Sequence, residues 1–106
     1  MITATLVHEV RATVVRIPPG AVTTYGDIAR ALGVGARAVG RAMGMLDGDV
    51  PWHRVVYADG TPASCHEGQA RGLLRGEKTP MISDRVDLGA ARWDPYPGST
   101  RDSAEG

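Results

Sequence analysis

The residues best suited to chemistry lie together in the segment 51–54, which reads PWHR. An indole, an imidazole and a guanidinium follow one another there, and an imidazole can exchange a proton near neutral pH. The spacing alone favours a structural interpretation, in which Trp52 anchors a core that lacks Phe and His53 is half-buried and hydrogen-bonded. The alternative interpretation is a binding or catalytic site placed just before a short strand at 55–57.

A second candidate is Cys65, the single cysteine of the chain, which is followed by His66. A thiol beside an imidazole can form a cysteine nucleophile, and His53 together with these two residues offers metal-ligating atoms. Adjacent side chains in a loop usually diverge, and the ligand spacing is poor for a metal. We therefore expect neither a metal nor a cofactor, and Cys65 stays an alternative nucleophile.

Apolar spacing predicts a helix over about 3–16, because apolar residues recur there at intervals of four and three. The Pro-Pro-Gly turn at 18–20 ends it. A second helix begins after Thr24, a capping residue that has Asp27 three positions further on, and ends at Gly33. These two helices form the core against which the next predicted helix would pack.

A third helix is predicted over about 36–46, joined to the second by a tight glycine-containing turn, as in a helix-turn-helix. Its inward residues are Val39, Met43 and Leu46. Its outward face carries Arg37 and Arg41 among small residues, namely Ala36, Ala38, Gly40 and Gly44. Small residues let a helix approach another surface closely, which favours nucleic-acid binding; close helix packing within the domain is the alternative.

The remaining chain predicts a hairpin and two short helices. A strand at 55–57, a turn at Asp59-Gly60 and a return strand at 61–64 resemble the wing of a winged helix. Further helices are predicted over 67–76, with Leu73 and Leu74 inward, and over 88–93. The predicted fold is therefore mainly α with a short β-hairpin, a winged-helix-like domain over 1–93 that contains a helix-turn-helix. We expect a disordered tail over 94–106.

Length and charge narrow the class of protein. A chain of 106 residues predicts a single domain, and it has no apolar run of membrane-spanning length and no signal-peptide pattern, so a cytoplasmic location is expected. The net charge of zero conceals an asymmetry, because residues 1–56 contain six Arg against four acidic residues. Three Arg and no acidic residue lie between positions 28 and 46, which favours an anionic partner at the predicted helix-turn-helix.

Three motifs resemble the DNA-binding domain of O6-alkylguanine-DNA alkyltransferases: TTYGDIA at 23–29, ARAVG at 36–40 and PWHRV at 51–55. The resemblance covers about residues 5–93. Those enzymes carry Pro-Cys-His-Arg, and the cysteine accepts the alkyl group. Trp52 occupies the cysteine position here, which is similar to alkyltransferase-like proteins that bind the damaged base without repairing it.

The resemblance implies roles for individual residues. Tyr25 matches the tyrosine that presses on a DNA phosphate and helps to rotate the damaged nucleotide, and Arg37 matches the arginine that enters the base stack. The small residues Ala36, Ala38 and Gly40 match those that let the recognition helix lie in the minor groove, and Arg41 belongs to the same DNA-binding face.

For the lesion pocket, the resemblance implies that Trp52 and His53 form the base and that Glu77 hydrogen-bonds the histidine. The loop at 63–68 matches the loop over the everted base. The pocket set is Trp52, His53, Arg54, Tyr25, Ser64 and Glu77.

The function implied is that of a monomeric, non-enzymatic protein that binds O6-alkylguanine in duplex DNA, everts the base and marks it for nucleotide excision repair proteins. An indole is not a thiolate nucleophile, so no alkyl transfer is expected from position 52. Two alternatives stay open. One is an active alkyltransferase that uses Cys65, and the other is a winged-helix regulator that reads DNA sequence.

Overall fold

In the computed structural model, which describes residues 4–46, 48–64 and 68–95, short helices surround two small sheets. The helices are α1 (Ala4–Val14), α2 (Tyr25–Leu32), α3 (Ala36–Met43), α4 (Ala70–Gly76) and α5 (Leu88–Ala91). A 3-10 helix covers Trp52–Arg54, and the strands are β1 (Thr23–Thr24), β2 (Val55–Val56), β3 (Met81–Ile82) and β4 (Arg85–Val86). None of these helices has the length and apolar character needed to span a membrane.

The apolar faces predicted for the first and third helices are confirmed. α3 packs against both α1 and α2. The inward residues predicted for the first and third helices all belong to the main buried cluster: Leu6, Val10, Val14, Ile17, Val39, Met43 and Leu46. Both helices end earlier than expected. Beyond Val14 and Met43 the backbone continues as tighter turns, in which Ile17 N donates to Val14 O and Leu46 N donates to Met43 O.

The start of α2 is fixed by a capping box, as predicted. Asp27 N donates to the Thr24 hydroxyl over 3.0 Å, and Thr24 N donates to an Asp27 carboxylate oxygen over 3.4 Å. At the other end, Gly33 has φ 72°, the left-handed conformation that a helix C-terminus favours in glycine. These two caps determine where Tyr25 stands and where the turn into α3 begins.

Strand pairing differs from the prediction. β1 pairs with β2 in parallel, Thr23 opposite Val55, a contact that the sequence did not indicate because two-residue strands show no alternation. The predicted return strand is only a bridge between Val56 and Pro62, since proline lacks the N–H that would extend the ladder. The one two-stranded antiparallel sheet in the described part of the chain is β3–β4, which the sequence analysis missed.

The later helices are shorter than expected. α4 covers only the second part of 67–76, and Leu74 is buried whereas Leu73 is 41% exposed. The prediction that both leucines face inward is wrong, because consecutive helical residues point about 100° apart. α5 stops at Ala91 since Arg92 joins a bridge to Val22.

Packing extends beyond the expected domain boundary at residue 93. Pro95 is fully buried, and its carbonyl accepts a hydrogen bond from Arg16 over 3.1 Å. The Arg16 guanidinium also lies 5.1 Å from the Trp93 ring centroid. The rest of the predicted tail, 96–106, lies outside the described residues.

Candidate nucleic-acid interface

The outward face of α3 carries two cations that no side chain of the described residues neutralises. Arg37 and Arg41 are both exposed, and within 4–46, 48–64 and 68–95 neither forms an ion pair. By contrast, Arg11 is paired with Asp49 and Arg92 is paired with Asp27. Unpaired guanidinium groups on one helix face can bind phosphate oxygens or base edges.

The small residues of α3 divide between the two interpretations left open by the sequence. Ala38 is half-buried and packs against the main cluster, as the helix-packing interpretation requires. Gly40 is exposed, and a Cβ added there would meet no atom within 4 Å, so packing inside the protein does not require a glycine. The absence of a side chain at Gly40 leaves the backbone open to an external surface.

A cleft of about 350 Å³ adjoins this face. Its walls come from the first turn of α2, from α3 and from the segment after β2. Its lining residues are Tyr25, Ala36, Arg37, Gly40, Met43, Gly44, Tyr57 and Ser64. The structure thus gathers five of the predicted site residues around one opening: Tyr25, Ala36, Arg37, Gly40 and Ser64.

Three lining residues were not predicted as site residues: Met43, Gly44 and Tyr57. Met43 is buried and forms part of the main cluster, so it joins the cleft to the core. Tyr57 could have been suspected, since an aromatic residue directly after a strand is conspicuous in a chain with only five aromatic residues. Its ring lies 5.1 Å from that of Tyr25, with the planes tilted by 34°.

Of the other predicted pocket residues, none lines this cleft; His53 and Arg54 gather around Glu77, and Trp52 lies in the main buried cluster. His53 Nε2 lies 2.9 Å from Glu77 Oε2, so the contact implied by the resemblance is present. Arg54 donates to both carboxylate oxygens of Glu77 and, through Nη1, to Ile17 O over 2.7 Å. The guanidinium of Arg54 therefore forms hydrogen bonds within the protein.

The pKa of Glu77 is lowered to about 2, chiefly by the hydrogen bonds from Arg54 and also by His53, against a smaller opposing effect of burial. The carboxylate is thus ionised throughout the physiological range. We call Glu77, His53 and Arg54 the Glu77 cluster. Its polar groups satisfy one another in a half-buried setting, as such groups must.

Trp52 lies in the main apolar cluster and is only 3% exposed. Its ring meets that of His53 edge-on, with centroids 5.8 Å apart. The structural interpretation of Trp52 as a core anchor is thereby confirmed. Its role at the base of a lesion pocket stays a prediction, as does the pocket role of the Glu77 cluster.

A second carboxylate, that of Asp27, is buried in the first turn of α2. Burial raises the pKa of Asp27, but hydrogen bonds from Arg92 and Thr24 outweigh it and hold that pKa below its usual value. Arg30 also pairs with Asp27. A cleft of about 580 Å³ beside this carboxylate is lined by Asp27, Arg30, Arg92 and Asp94. The charges of its two cationic and two anionic side chains cancel.

The alternative nucleophile Cys65 and its neighbour His66 lie outside the described residues. In the part of the chain that is described, no three His, Cys, Asp or Glu side chains are grouped to hold a metal ion.

The fold and this site define a helix-turn-helix domain whose second helix presents exposed cations beside a cleft. Comparison with known families makes the class specific. The profile of the family described as "6-O-methylguanine DNA methyltransferase, DNA binding domain" matches residues 5–79, and the chain belongs to this family.

Individual relatives agree with this assignment. The chain is 49% identical over 57 residues to Alkyltransferase-like protein 1 of Schizosaccharomyces pombe, covering 50% of this chain and 53% of that protein. It is 38% identical over 88 residues to the DNA base-flipping protein of Escherichia coli, covering 76% of this chain and 68% of that protein. The chain thus spans about half the length of the first relative.

Among solved structures, the chain resembles S. pombe Atl1 in complex with damaged DNA containing O6-carboxymethylguanine. The TM-score is 0.76 at 32% identity, and the match covers 90% of this chain and 100% of Atl1. The mainly helical fold with its helix-turn-helix is therefore that of a DNA-bound relative.

Proposed function

We propose that this protein binds duplex DNA containing an O6-alkylguanine, everts the damaged nucleotide and holds it without removing the alkyl group. The observation that carries the proposal is the face of α3, where Arg37 and Arg41 have no ion-pair partner among the described residues and Gly40 is open beside a cleft. The names of the two relatives and the damaged DNA bound by Atl1 support the same function.

The chemistry of the lesion explains why eversion is needed. The O6 atom of guanine faces the major groove of the duplex, so a helix in the minor groove reaches it only after the nucleotide has rotated out. Rotation costs a few kcal/mol, and less for a damaged base that pairs poorly. Because a damaged base costs less to rotate out, binding that requires rotation selects for the lesion and not for the surrounding sequence.

Arg37 would enter the base stack in place of the everted nucleotide, since it lies on both the exposed face of α3 and the wall of the cleft. Tyr25 begins α2 at the same cleft and would press on the phosphate that rotates. Arg41, one turn further along α3, would contact phosphate and position the helix without reading sequence.

Alkyl transfer requires a thiolate held beside a base. The position before His53 holds Trp52, whose indole is buried in the apolar cluster. The product of recognition would therefore be a persistent complex of one protein molecule with the damaged duplex. Such a complex would serve as a mark for nucleotide excision repair proteins.

A paired titration tests the binding step. Two duplexes of identical sequence, with and without one O6-methylguanine, are titrated with the protein at several salt concentrations. We expect a lower Kd for the damaged duplex at every salt concentration, with a salt dependence that reports the phosphates engaged. Equal affinity for both duplexes overturns lesion recognition, and a preference that follows the flanking sequence instead points to a sequence-reading regulator.

The absence of transfer is tested by the intact mass of the protein after incubation with excess damaged duplex. We expect an unchanged mass and an unaltered lesion recovered from the DNA. A gain of about 14 Da, the exchange of H for CH3, overturns the binding-only proposal. Peptide mapping would then show whether Cys65 had accepted the group, with Cys65→Ser as the matched control.

A further inference from the structure

Tyr57 is an exposed aromatic residue that belongs to neither of the two buried clusters. Five large apolar or aromatic residues in the described ranges are substantially exposed: Val15, Met45, Tyr57, Leu73 and Ile82. Of these, only Tyr57 lines the cleft beside α3, and 44% of its surface is exposed. An aromatic ring left open to solvent in a concave site is a binding surface for another flat or apolar group.

The backbone that carries Tyr57 is held in place on both sides. Tyr57 N donates to Thr61 O over 3.0 Å, and Tyr57 O accepts from Gly60 N over 2.8 Å. Gly60 has φ 89°, and a Cβ there would lie 2.4 Å from Val86 O, so the turn fits tightly against the β3–β4 sheet. The ring therefore projects from a rigid turn, which lowers the entropy lost when it binds a ligand.

The neighbours of the ring make the cleft suitable for a planar heterocycle. Tyr25 contacts Tyr57 at 5.1 Å, Met43 supplies an apolar wall, and Arg37 and Ser64 contribute polar groups at the rim. The volume of about 350 Å³ lies near the small end of ligand pockets, which span roughly 300–1,000 Å³. One nucleobase matches this combination of size, flat walls and few polar groups.

We propose that Tyr57 is a base-binding residue, whose ring stacks on one face of the damaged purine when that purine occupies the cleft. The inference rests on the proposed function and adds a residue to it. Tyr25, half-buried and fixed at the start of α2, packs against the Tyr57 ring and would at the same time contact the backbone of the DNA.

The test compares the Kd of the wild type, Tyr57→Ala, Tyr57→Leu and Tyr57→Phe for three duplexes: undamaged, with one O6-methylguanine, and with an abasic site at the same position. Stacking of a base on an aromatic residue corresponds to roughly 5- to 100-fold in affinity. We expect Tyr57→Ala and Tyr57→Leu to weaken binding of the O6-methylguanine duplex by about tenfold or more, and Tyr57→Phe to change it less than about twofold.

The abasic duplex separates stacking from indirect support of Tyr25. It offers no base to stack, so we expect all four proteins to bind it alike, and likewise the undamaged duplex. If Tyr57→Ala weakens abasic binding as much as lesion binding, or leaves lesion binding unchanged, the stacking role is overturned. Ile82→Ala, which removes an exposed apolar side chain from β3, is the matched control and should bind like the wild type.

The possible results distinguish a failure of this inference from a failure of the proposed function. A wild type that prefers the damaged duplex, together with a Tyr57→Ala variant that keeps the same preference, refutes the role of Tyr57 alone. A wild type without any preference refutes the proposed function and the inference with it. Thermal unfolding of each variant provides the folding check, and Tyr57→Leu decides the question if Tyr57→Ala is less stable.

Discussion

The outward face of α3 and the Glu77 cluster both contain arginine, but the two regions differ in whether the guanidinium groups are paired with a carboxylate. In the cluster, Arg54 is bonded to both oxygens of Glu77 and to a backbone carbonyl, and its side chain is only 14% exposed. On α3, Arg37 and Arg41 are exposed and have no ion-pair partner in the described parts of the chain. One region has its charges satisfied inside the protein, and the other leaves them for a partner.

The difference indicates which arginines hold the fold and which bind. An ion pair that is half-buried and hydrogen-bonded within the protein offers little exposed charge to a ligand, and breaking it leaves an unsatisfied charge. An unpaired surface cation contributes little to stability, yet it is available to phosphate. Substitutions in the two regions should therefore have effects of different kinds.

The largest expected effect is on stability. Glu77→Ala leaves the Arg54 guanidinium half-buried without its carboxylate, and should lower the free energy of unfolding by about 3 kcal/mol. Chemical denaturation at neutral pH measures it. Asp84→Ala is the matched control, because its pairs with Arg71 and Arg75 are exposed and 3.8 Å long, so it should cost less than about 1 kcal/mol. Equal costs for the two variants would contradict the contrast between the regions.

The same cluster makes stability depend on acid pH. The pKa of Glu77 is about 2 in the folded protein, against an ordinary value of 4.5 that applies to the unfolded chain. The contribution of Glu77 to the free energy of unfolding is therefore complete above pH 4.5 and is lost as the pH falls toward 2. That contribution is on the order of 3 kcal/mol. The difference in unfolding free energy between wild type and Glu77→Gln should shrink over this pH range. A difference that stays constant down to pH 2 would show that the ionised carboxylate is not its source.

On the α3 face, the expected effect is on binding. Arg37→Ala should raise the Kd for the O6-methylguanine duplex roughly 30-fold, about 2 kcal/mol, because insertion and charge are lost together. Arg41→Ala, on the same helix and with the same charge, should weaken damaged and undamaged binding equally and lower the salt slope by about one. Both should unfold like the wild type. Equal losses of lesion preference in the two variants would remove the special role of Arg37.

The smallest effect has opposite signs for stability and binding. Gly40→Ala adds a methyl where no atom lies within 4 Å, so it should stabilise the protein by about 0.5–1 kcal/mol through the helix preference of alanine. The methyl would separate α3 from DNA and weaken binding of both duplexes. Gly72→Ala in α4, also in open space, should stabilise similarly without affecting binding. Unchanged binding by Gly40→Ala would contradict close approach of α3.

Much of the positioning framework could be predicted from the sequence because it depends on local rules. The Thr24–Asp27 capping box, the left-handed Gly33 and the inward positions of α1 and α3 follow from spacing and residue type alone. Contacts across the chain could not be predicted in this way. The parallel pairing of β1 with β2 and the Arg92–Asp27 pair depend on how distant segments meet.

The candidate site shows the same division. Arg37 and Gly40 on α3 and Tyr25 at the start of α2 were predicted from motifs, because the two helices of the helix-turn-helix carry them to one opening. Tyr57 was missed as a site residue, since only the turn that Gly60 packs against Val86 brings its ring to that opening.

The most direct test of base eversion is a crystal structure of this protein with a duplex that contains one O6-methylguanine. We predict that the modified nucleotide lies outside the helix in the cleft beside α3, with its base against the Tyr57 ring, Arg37 in the vacated stack and the methyl group still on the base. A modified guanine that remains stacked in the duplex, or a methyl carbon bonded to the protein, would contradict the account.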